Sequence, residues 1–485
     1  MRSAARACAA VVLRHHAMTR TSTQDHGPVD AATVTSRASD ACKRTIYVMA
    51  VAFLAFVSGG VTIFLDIQPV TGYVQKTAMV AFYMYKSGFE GEAIEPFWHR
   101  AHLPGPADDN PVILNAPGAW PGLNLVIDSQ EQAAKLITMD GRLVHEWRLR
   151  FDQIWTDPPQ VPGFSGQGPE FWMDKVHWRR VHLYPNGDLL VVFGSPFHTP
   201  YGFGMVKLDR EARVIWKFSE NAHHDAAVSP SGDIYVLNQR INRGGYPGYP
   251  ELEPPFIDDM VTAVGPDGTK IKDISIVKAF LNSDYAPALL LLGQNLQGDV
   301  THANTVQYID AELAAGFDFA RAGDLLISLR EMDLIAVLDP REERIVWART
   351  GLWHAQHEPQ MLATGQILLF DNRGHRGPGG MTRVIEFDPN TGRITWTYAG
   401  TESTPLESAI YGAQQRLANG NTLIVETNNG RAIEVTRAGD IVWEYRSTNR
   451  KTADSGAELV SLLSDLVRVD PDSLTFLEPR TADAR

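Results

Sequence analysis

Cysteine is nearly absent from this chain: Cys8 and Cys42 are the two in 485 residues, and both precede the one long apolar run. The body beyond that run has none. This excludes a disulfide framework, a thiolate-ligated metal and cysteine nucleophilic catalysis there. Basic clusters are also missing. Lys and Arg number 44 against 57 Asp and Glu, for a formal net charge of -13, and no basic run occurs in the main body. That argues against a nucleic-acid partner and fits a domain kept dispersed by its charge. Hydrophobic runs long enough for a bilayer occur once, at Thr45–Leu65, which carries no charged residue.

About 20 apolar residues cross a hydrocarbon layer. Lys43 and Arg44 precede the run and Asp66 follows it. The positive-inside rule then places the N-terminus in the cytoplasm and the body outside. No Ala-x-Ala cleavage site follows, so an uncleaved anchor is expected rather than a signal peptide. The expected organisation is a disordered cytoplasmic segment 1–44 and a single-pass membrane anchor 45–65. A stem with an irregular lead-in, 66–118, a β domain, 119–478, and a tail, 479–485, complete it. Met18 offers a second possible start.

What fills the body is repetition. Gln356–Trp396 reads as one unit of four short strands: a polar start with His357, the turn Ala363-Thr364-Gly365, a run to Asp371, a basic glycine-rich loop, a run to Phe387, the turn Asp388–Gly392 and a last run ending in Trp396. Short alternating runs between turn residues signal antiparallel strands. The plan recurs at VHLYPNGDLLVVF, HHDAAVSPSGDIYVL, HANTVQYI and RLANGNTLI, with an incomplete first copy at GLNLVID. Five of the six copies close on a tryptophan: Trp147, Trp216, Trp347, Trp396 and Trp443. A four-stranded repeat of roughly 40–50 residues is the signature of a β-propeller. The expected fold is all-β, a six-bladed β-propeller behind an N-terminal transmembrane helix. The first copy lacks an opening strand, and Leu466–Val469 or Leu474–Leu477 could supply it and remove an exposed sheet edge. The tryptophans are expected to pack between strands, and Asp388 and Asn390 to set a turn.

Aligned on the first-turn glycines Gly187, Gly232, Gly365 and Gly420, the positions eight residues earlier are Arg179, His224, His357 and Gly412, and His302 opens the corresponding strand of the fourth copy. Innermost strands border the central channel, so these histidines and Arg179 aim at one axis. Arg373 and Arg376 follow from the basic loop. Imidazoles can bind zinc or copper, but no helical H-E-x-x-H motif accompanies them. Guanidinium groups fork a tetrahedral oxyanion, and histidine can be a nucleophile or proton carrier. A hydrolase or metal site using the same histidines, and a non-catalytic binding or scaffold propeller, are the other readings.

THANTV (Thr301–Val306), HHDAAVSPSGDIYVL (His223–Leu237), QHEPQMLATGQILLFDNRGHRG (Gln356–Gly377) and RLANGNTLI (Arg416–Ile424), taken in order, resemble the bacterial arylsulfate sulfotransferases. The resemblance implies a periplasmic six-bladed propeller, here held to the inner membrane by its N-terminal helix. It also implies sulfuryl transfer from a small-molecule phenolic sulfate to a phenol, with no cofactor and no nucleotide donor, through a sulfated histidine. By motif, His302, His357 and Arg376 match active-site positions, and His224 matches the His-His-Asp element. Asn304, Arg373, Arg179 and Tyr411 are the expected substrate contacts. One departure stands out. The family's sulfate-accepting histidine lies in a later blade, where this chain has Tyr411-Gly412-Ala413-Gln414 and no histidine after His375. Either His224, His302 or His357 takes its place, or the chemistry differs.

Overall fold

A computed structural model describes residues 47, 49–51, 53–58, 97–155, 176–194, 202–249, 252, 254–291, 298–374, 382–401 and 403–477. The chain divides into two units, Met1–Gly91 and Glu92–Arg485. In the first, the described residues are helical, and Tyr47, Phe53, Leu54 and Phe56 are exposed. No helix among the described residues is long and apolar enough to cross a membrane. The rest of the expected anchor, the segment 1–44 and the tail 479–485 lie outside the described residues.

The second unit is built of antiparallel sheets. Sheet 2 runs His177–Leu183, Leu189–Gly194, Gly202–Leu208, Val214–Phe218, each strand beside the next. Sheet 3 starts at Ala226–Val228, sheet 4 at Ala303–Tyr308, sheet 5 at His357–Met361 and sheet 6 at Ala413–Arg416, all with the same four-strand order. Sheet 1 takes its first strand from the far end of the chain: Leu463–Val469 pairs antiparallel with Leu123–Asp128. Of the two expected candidates, the segment containing Leu466–Val469 is therefore the partner.

The second strands are rich in apolar residues because both their faces are largely buried. Successive side chains on a strand point to opposite sides. In Leu189–Gly194, Leu189, Val191 and Phe193 pack toward sheet 1, while Leu190 and Val192 pack toward sheet 3. The same division of Ile367 and Leu369 from Leu368 and Phe370 joins sheet 5 to sheets 4 and 6. Clusters between sheets 3 and 4 and between sheets 6 and 1 complete the series. The core is thus a sequence of sheet-to-sheet interfaces that returns to its start.

The terminal tryptophans reach across these interfaces. Trp147 Nε1 donates to the Gly187 carbonyl at 3.0 Å, Trp216 to Pro266 at 3.0 Å, Trp396 to Arg437 at 3.0 Å and Trp443 to Met139 at 3.0 Å. Each ties the outer part of one sheet to a turn of the next. Trp347 instead stacks on Phe319, with centroids 4.4 Å apart. Trp147 is fully buried. Trp147→Phe leaves the Gly187 carbonyl without its donor and is expected to cost about 1–3 kcal/mol. A urea midpoint unchanged from the parent would remove the tryptophan hydrogen bond as a stabilising element.

The lead-in differs from the irregular segment expected. Val112–Asn115 adds a fifth strand to sheet 6, and Trp98–Arg100 joins Glu458–Ser461 and Arg450–Thr452 in a separate three-stranded sheet. Strands of three or four residues are too short to carry a readable alternation among prolines and glycines. Asp388 accepts from the backbone of Asn390 at 2.8 Å and from the Thr391 hydroxyl at 2.8 Å, which fixes the turn as expected.

Candidate functional site

The first strands of the six sheets neighbour one another in cyclic order. Four of them carry a register irregularity near their start, between Trp178 and Arg180, Ala303 and Thr305, His357 and Gln360, and Leu463 and Asp465. A bulge re-aims the side chains beside it. Residues around these starts are also held at positive φ: His224 at 53°, His302 at 48°, Glu358 at 46° and Tyr411 at 54°. Such conformations cost about 1–3 kcal/mol each and cluster at functional sites.

The result is a cavity of about 250 Å³ lined by His177, Arg179, Gly194, His223, His224, His302, Arg330, His357, Ile410 and Tyr411. Five of the expected site residues therefore share one chamber: Arg179, His224, His302, His357 and Tyr411. Arg376 lies outside the described residues, as does His375. Arg373 is exposed, its backbone N–H donating to the His354 carbonyl, and it does not line the cavity. Asn304 stands behind the wall. Its Nδ2 donates to the Gln356 carbonyl at 2.8 Å and so braces the backbone next to His357, in place of the expected substrate contact.

His177, His223 and Arg330 were not anticipated. His177 was legible in principle, because it lies two residues before Arg179 and so on the same face of an extended strand. The empty histidine position in sheet 6 has a steric cause. A Cβ at Gly412 would lie 2.3 Å from the Phe370 ring. Tyr411, one residue earlier, supplies the side chain there, with its ring 4.0 Å from the Arg179 guanidinium carbon and edge-on to His357 at 6.3 Å.

The imidazoles are not equivalent. Burial holds His177 down to about 3, and Arg179 adds to the effect. Both its ring nitrogens are buried without a hydrogen-bond partner among the described residues. Burial also lowers His223 to about 3 and holds His224 and His357 well below the ordinary value. His302 goes the other way. Burial disfavours its cation, but the charge and hydrogen bond of Asp299, 2.5 Å from Nδ1, outweigh it and raise the pKa. A pair of groups pushed in opposite directions by their surroundings marks an acid and a base. Burial favours the neutral ring at His357, and Asp299 favours the charged ring at His302.

Cations complete the chamber. Arg179 is buried, its Nε without a hydrogen-bond partner among the described residues. Burial lowers its pKa, but a guanidinium stays charged. Arg330 pairs with Glu331 at the rim. Beneath the cavity Arg180 forms ion pairs with Asp225 at 2.8 Å, Asp465 at 2.5 Å and Glu358. Arg180, Asp225 and Glu358 line a second, wider mouth of about 840 Å³ together with His182, Gln307 and Gln360. No group of three or more His, Cys, Asp or Glu poised to hold a metal ion occurs among the described residues. The chamber is suited to a small anion: buried positive charge, neutral imidazoles and one proton donor.

The sequence pattern of the family described as Arylsulfotransferase (ASST) matches residues 180–448. No curated protein matches the chain. Among solved structures, a protein of unknown function from Bacteroides caccae is 12% identical, covering 72% of this chain and 98% of that one, with a TM-score of 0.42. A streptogramin B lyase is 10% identical over 76% and 94% with a TM-score of 0.38. BamB from Moraxella catarrhalis is 12% identical over 76% and 96%, at 0.32.

Proposed function

The chain belongs to the arylsulfotransferase family, and on that premise we propose that it moves a sulfuryl group from a phenolic sulfate ester to a phenolic acceptor without a nucleotide donor. The six sheets are read as the blades of a closed six-bladed propeller, residues 119–478. The apolar segment 45–65 is read as an anchor that holds it on the periplasmic face of the inner membrane. The observation that carries the reaction is the convergence of Arg179, His224, His302 and His357 on one small cavity.

The chemistry follows from the groups present. Sulfuryl transfer spreads negative charge over three equatorial oxygens and onto the departing phenolate. Arg179 and Arg330, with Arg376 carried over by motif, supply fixed positive charge to those oxygens, the preorganised stabilisation that lowers such barriers most. His302, kept protonated by Asp299, donates its proton to the phenolate oxygen as the ester bond breaks. It recovers a proton from the incoming phenol. Tyr411 and Ile410 offer the aryl ring an apolar wall.

The test is transfer from p-nitrophenyl sulfate to phenol by the full chain, followed as nitrophenolate release with and without acceptor. Arg179→Ala and His302→Ala are each expected to lower kcat by about 10²–10³-fold. Absence of acceptor-dependent release from a folded protein would overturn sulfuryl transfer to phenols. Release that ignores the acceptor would turn the reading to a hydrolase using the same centre.

A further inference from the structure

The family's late-blade histidine is missing here, and Phe370 leaves no room for one at position 412. Resting on the arylsulfotransferase reading, we infer that His357 Nε2 is the atom that carries the sulfuryl group in this chain, and that Asn372 is the positioning residue that leaves this nitrogen bare.

The geometry runs through one amide. Asn372 is fully buried, and its Nδ2 donates to two backbone carbonyls, Ser408 at 2.8 Å and Tyr411 at 2.6 Å. Carbonyls only accept, so the amide nitrogen must face them and Oδ1 must face the other way. Oδ1 lies 2.8 Å from His357 Nδ1. The Ala355 carbonyl stands 3.2 Å from the same nitrogen. Two acceptors converge on Nδ1, so Nδ1 bears the hydrogen and Nε2 keeps its lone pair. His357 lines the cavity, and no partner of Nε2 occurs among the described residues. None of the other chamber histidines shows this combination. His177 has no acceptor on either ring nitrogen among the described residues, so nothing fixes which nitrogen carries its hydrogen. His302 is tied to Asp299 as a proton holder, and His223 and His224 are joined to each other at 2.7 Å through their Nδ1 atoms.

The step balances as two displacements. The Nε2 lone pair forms a bond to sulfur while the aryl oxygen–sulfur bond breaks. The phenolate leaves with that electron pair and takes the proton of His302. The sulfated ring of His357 is cationic and keeps its hydrogen on Nδ1, where Asn372 Oδ1 and the Ala355 carbonyl stabilise it. An acceptor phenol then attacks sulfur, its proton passes to His302, and the nitrogen–sulfur bond returns its electron pair to Nε2. No external oxidant or reductant enters.

The full chain, incubated with [35S]p-nitrophenyl sulfate without acceptor and quenched in alkali, is expected to carry label on the peptide containing His357. Phenol should chase that label into phenyl sulfate. His357→Gln should abolish the label and lower transfer by about 10³-fold or more. Asn372→Ala should lower kcat by about 10²-fold with KM little changed, as mispositioning of a reacting group does. Asn372→Asp, which restores an acceptor toward Nδ1, should recover part of that loss. [15N]histidine NMR should show His357 with its hydrogen on Nδ1 in the parent and a mixture of tautomers in Asn372→Ala. Label on His177, His223, His224, His302 or Tyr411 with transfer intact would overturn the assignment and leave the arylsulfotransferase reading standing. So would a parent His357 protonated on Nε2. A folded parent that neither labels nor transfers would take down both.

Discussion

Arg180→Met is expected to lower the stability of the protein by about 3–5 kcal/mol, among the larger effects of any single substitution. The reason is the company Arg180 keeps. It stands on the first strand of sheet 2 and forms ion pairs with Asp225 ahead of sheet 3, Glu358 on sheet 5 and Asp465 on sheet 1. Asp225 also accepts from the backbone of Ala226 at 2.9 Å and of Val306, on sheet 4, at 2.9 Å. Burial pushes the Asp225 carboxyl up, and Arg180 is the first force holding it down. Methionine fills similar space but leaves three carboxylates facing one another, Asp225 and Asp465 buried and Glu358 partly so. Without Arg180 the Asp225 carboxyl would be pushed up further, so the deficit should shrink as pH falls and it takes up a proton. Urea unfolding of the parent and Arg180→Met at pH 8 and pH 5 measures this. A difference that is small, or that grows in acid, would show that the cluster does not hold the inner strands together. Adding Asp225→Asn and Asp465→Asn to Arg180→Met should restore part of the loss, because the remaining groups no longer repel.

Acid should unfold the protein well before its carboxylates would explain it. His177 and His223 are held to about 3, and His224 and His357 well below their ordinary value, burial being the main cause in each. In the unfolded chain the same rings take protons near pH 6.5. Between pH 6.5 and the folded values the unfolded state binds more protons, so stability is complete above that window and falls as pH drops through it. Two groups oppose the trend. His302 has its folded pKa raised, so its contribution is present below pH 6.5 and lost as pH rises through the folded value. Asp259, raised to about 7 by burial and then by Asp299, binds its proton in the folded state first. Below pH 6.5 His302 is protonated in both states and subtracts nothing, while Asp259 offsets part of the uptake by the four lowered rings, so a net uptake by the unfolded chain remains and stability falls with pH. Thermal unfolding from pH 7.5 to pH 5 should show this decline, and His177→Gln should flatten it by about one proton. A melting temperature level across that range would mean that the chamber admits protons without unfolding.

Much of this was visible in the residues themselves. Turn glycines and period-two runs located the sheets, because each second strand is buried on both faces and each turn needs a residue tolerant of its backbone. Counting back from those glycines placed Arg179, His224 and His357 together, since equivalent strands present equivalent positions to one axis. The count could not see the bulges. It gave no sign that Arg180, the neighbour of Arg179, would turn away from the cavity and gather three carboxylates. Arg330 follows a second strand and enters from a loop, outside any alignment of strand starts. Asn372 was read as part of a motif, but its role depends on two carbonyls of the connection leading into sheet 6, at Ser408 and Tyr411, more than thirty residues onward. Asn304 shows the reverse error. A polar residue beside His302 suggested a ligand contact, yet its partner is the peptide of Gln356.

The pairing of Leu463–Val469 with Leu123–Asp128 also sets a schedule. Translation delivers Leu123–Asp128 long before the strand that pairs with it. Until residue 469 leaves the ribosome, the first strand of sheet 1 is absent, so sheets 2 and 6 lack the inner neighbour they share. Sheets 2 to 5, with the histidines and Arg179, are made earlier but cannot be locked around the axis. Asp465, one of the three carboxylates on Arg180, arrives on that same late strand. The chain therefore cannot assemble its working centre until that late strand has been made and paired.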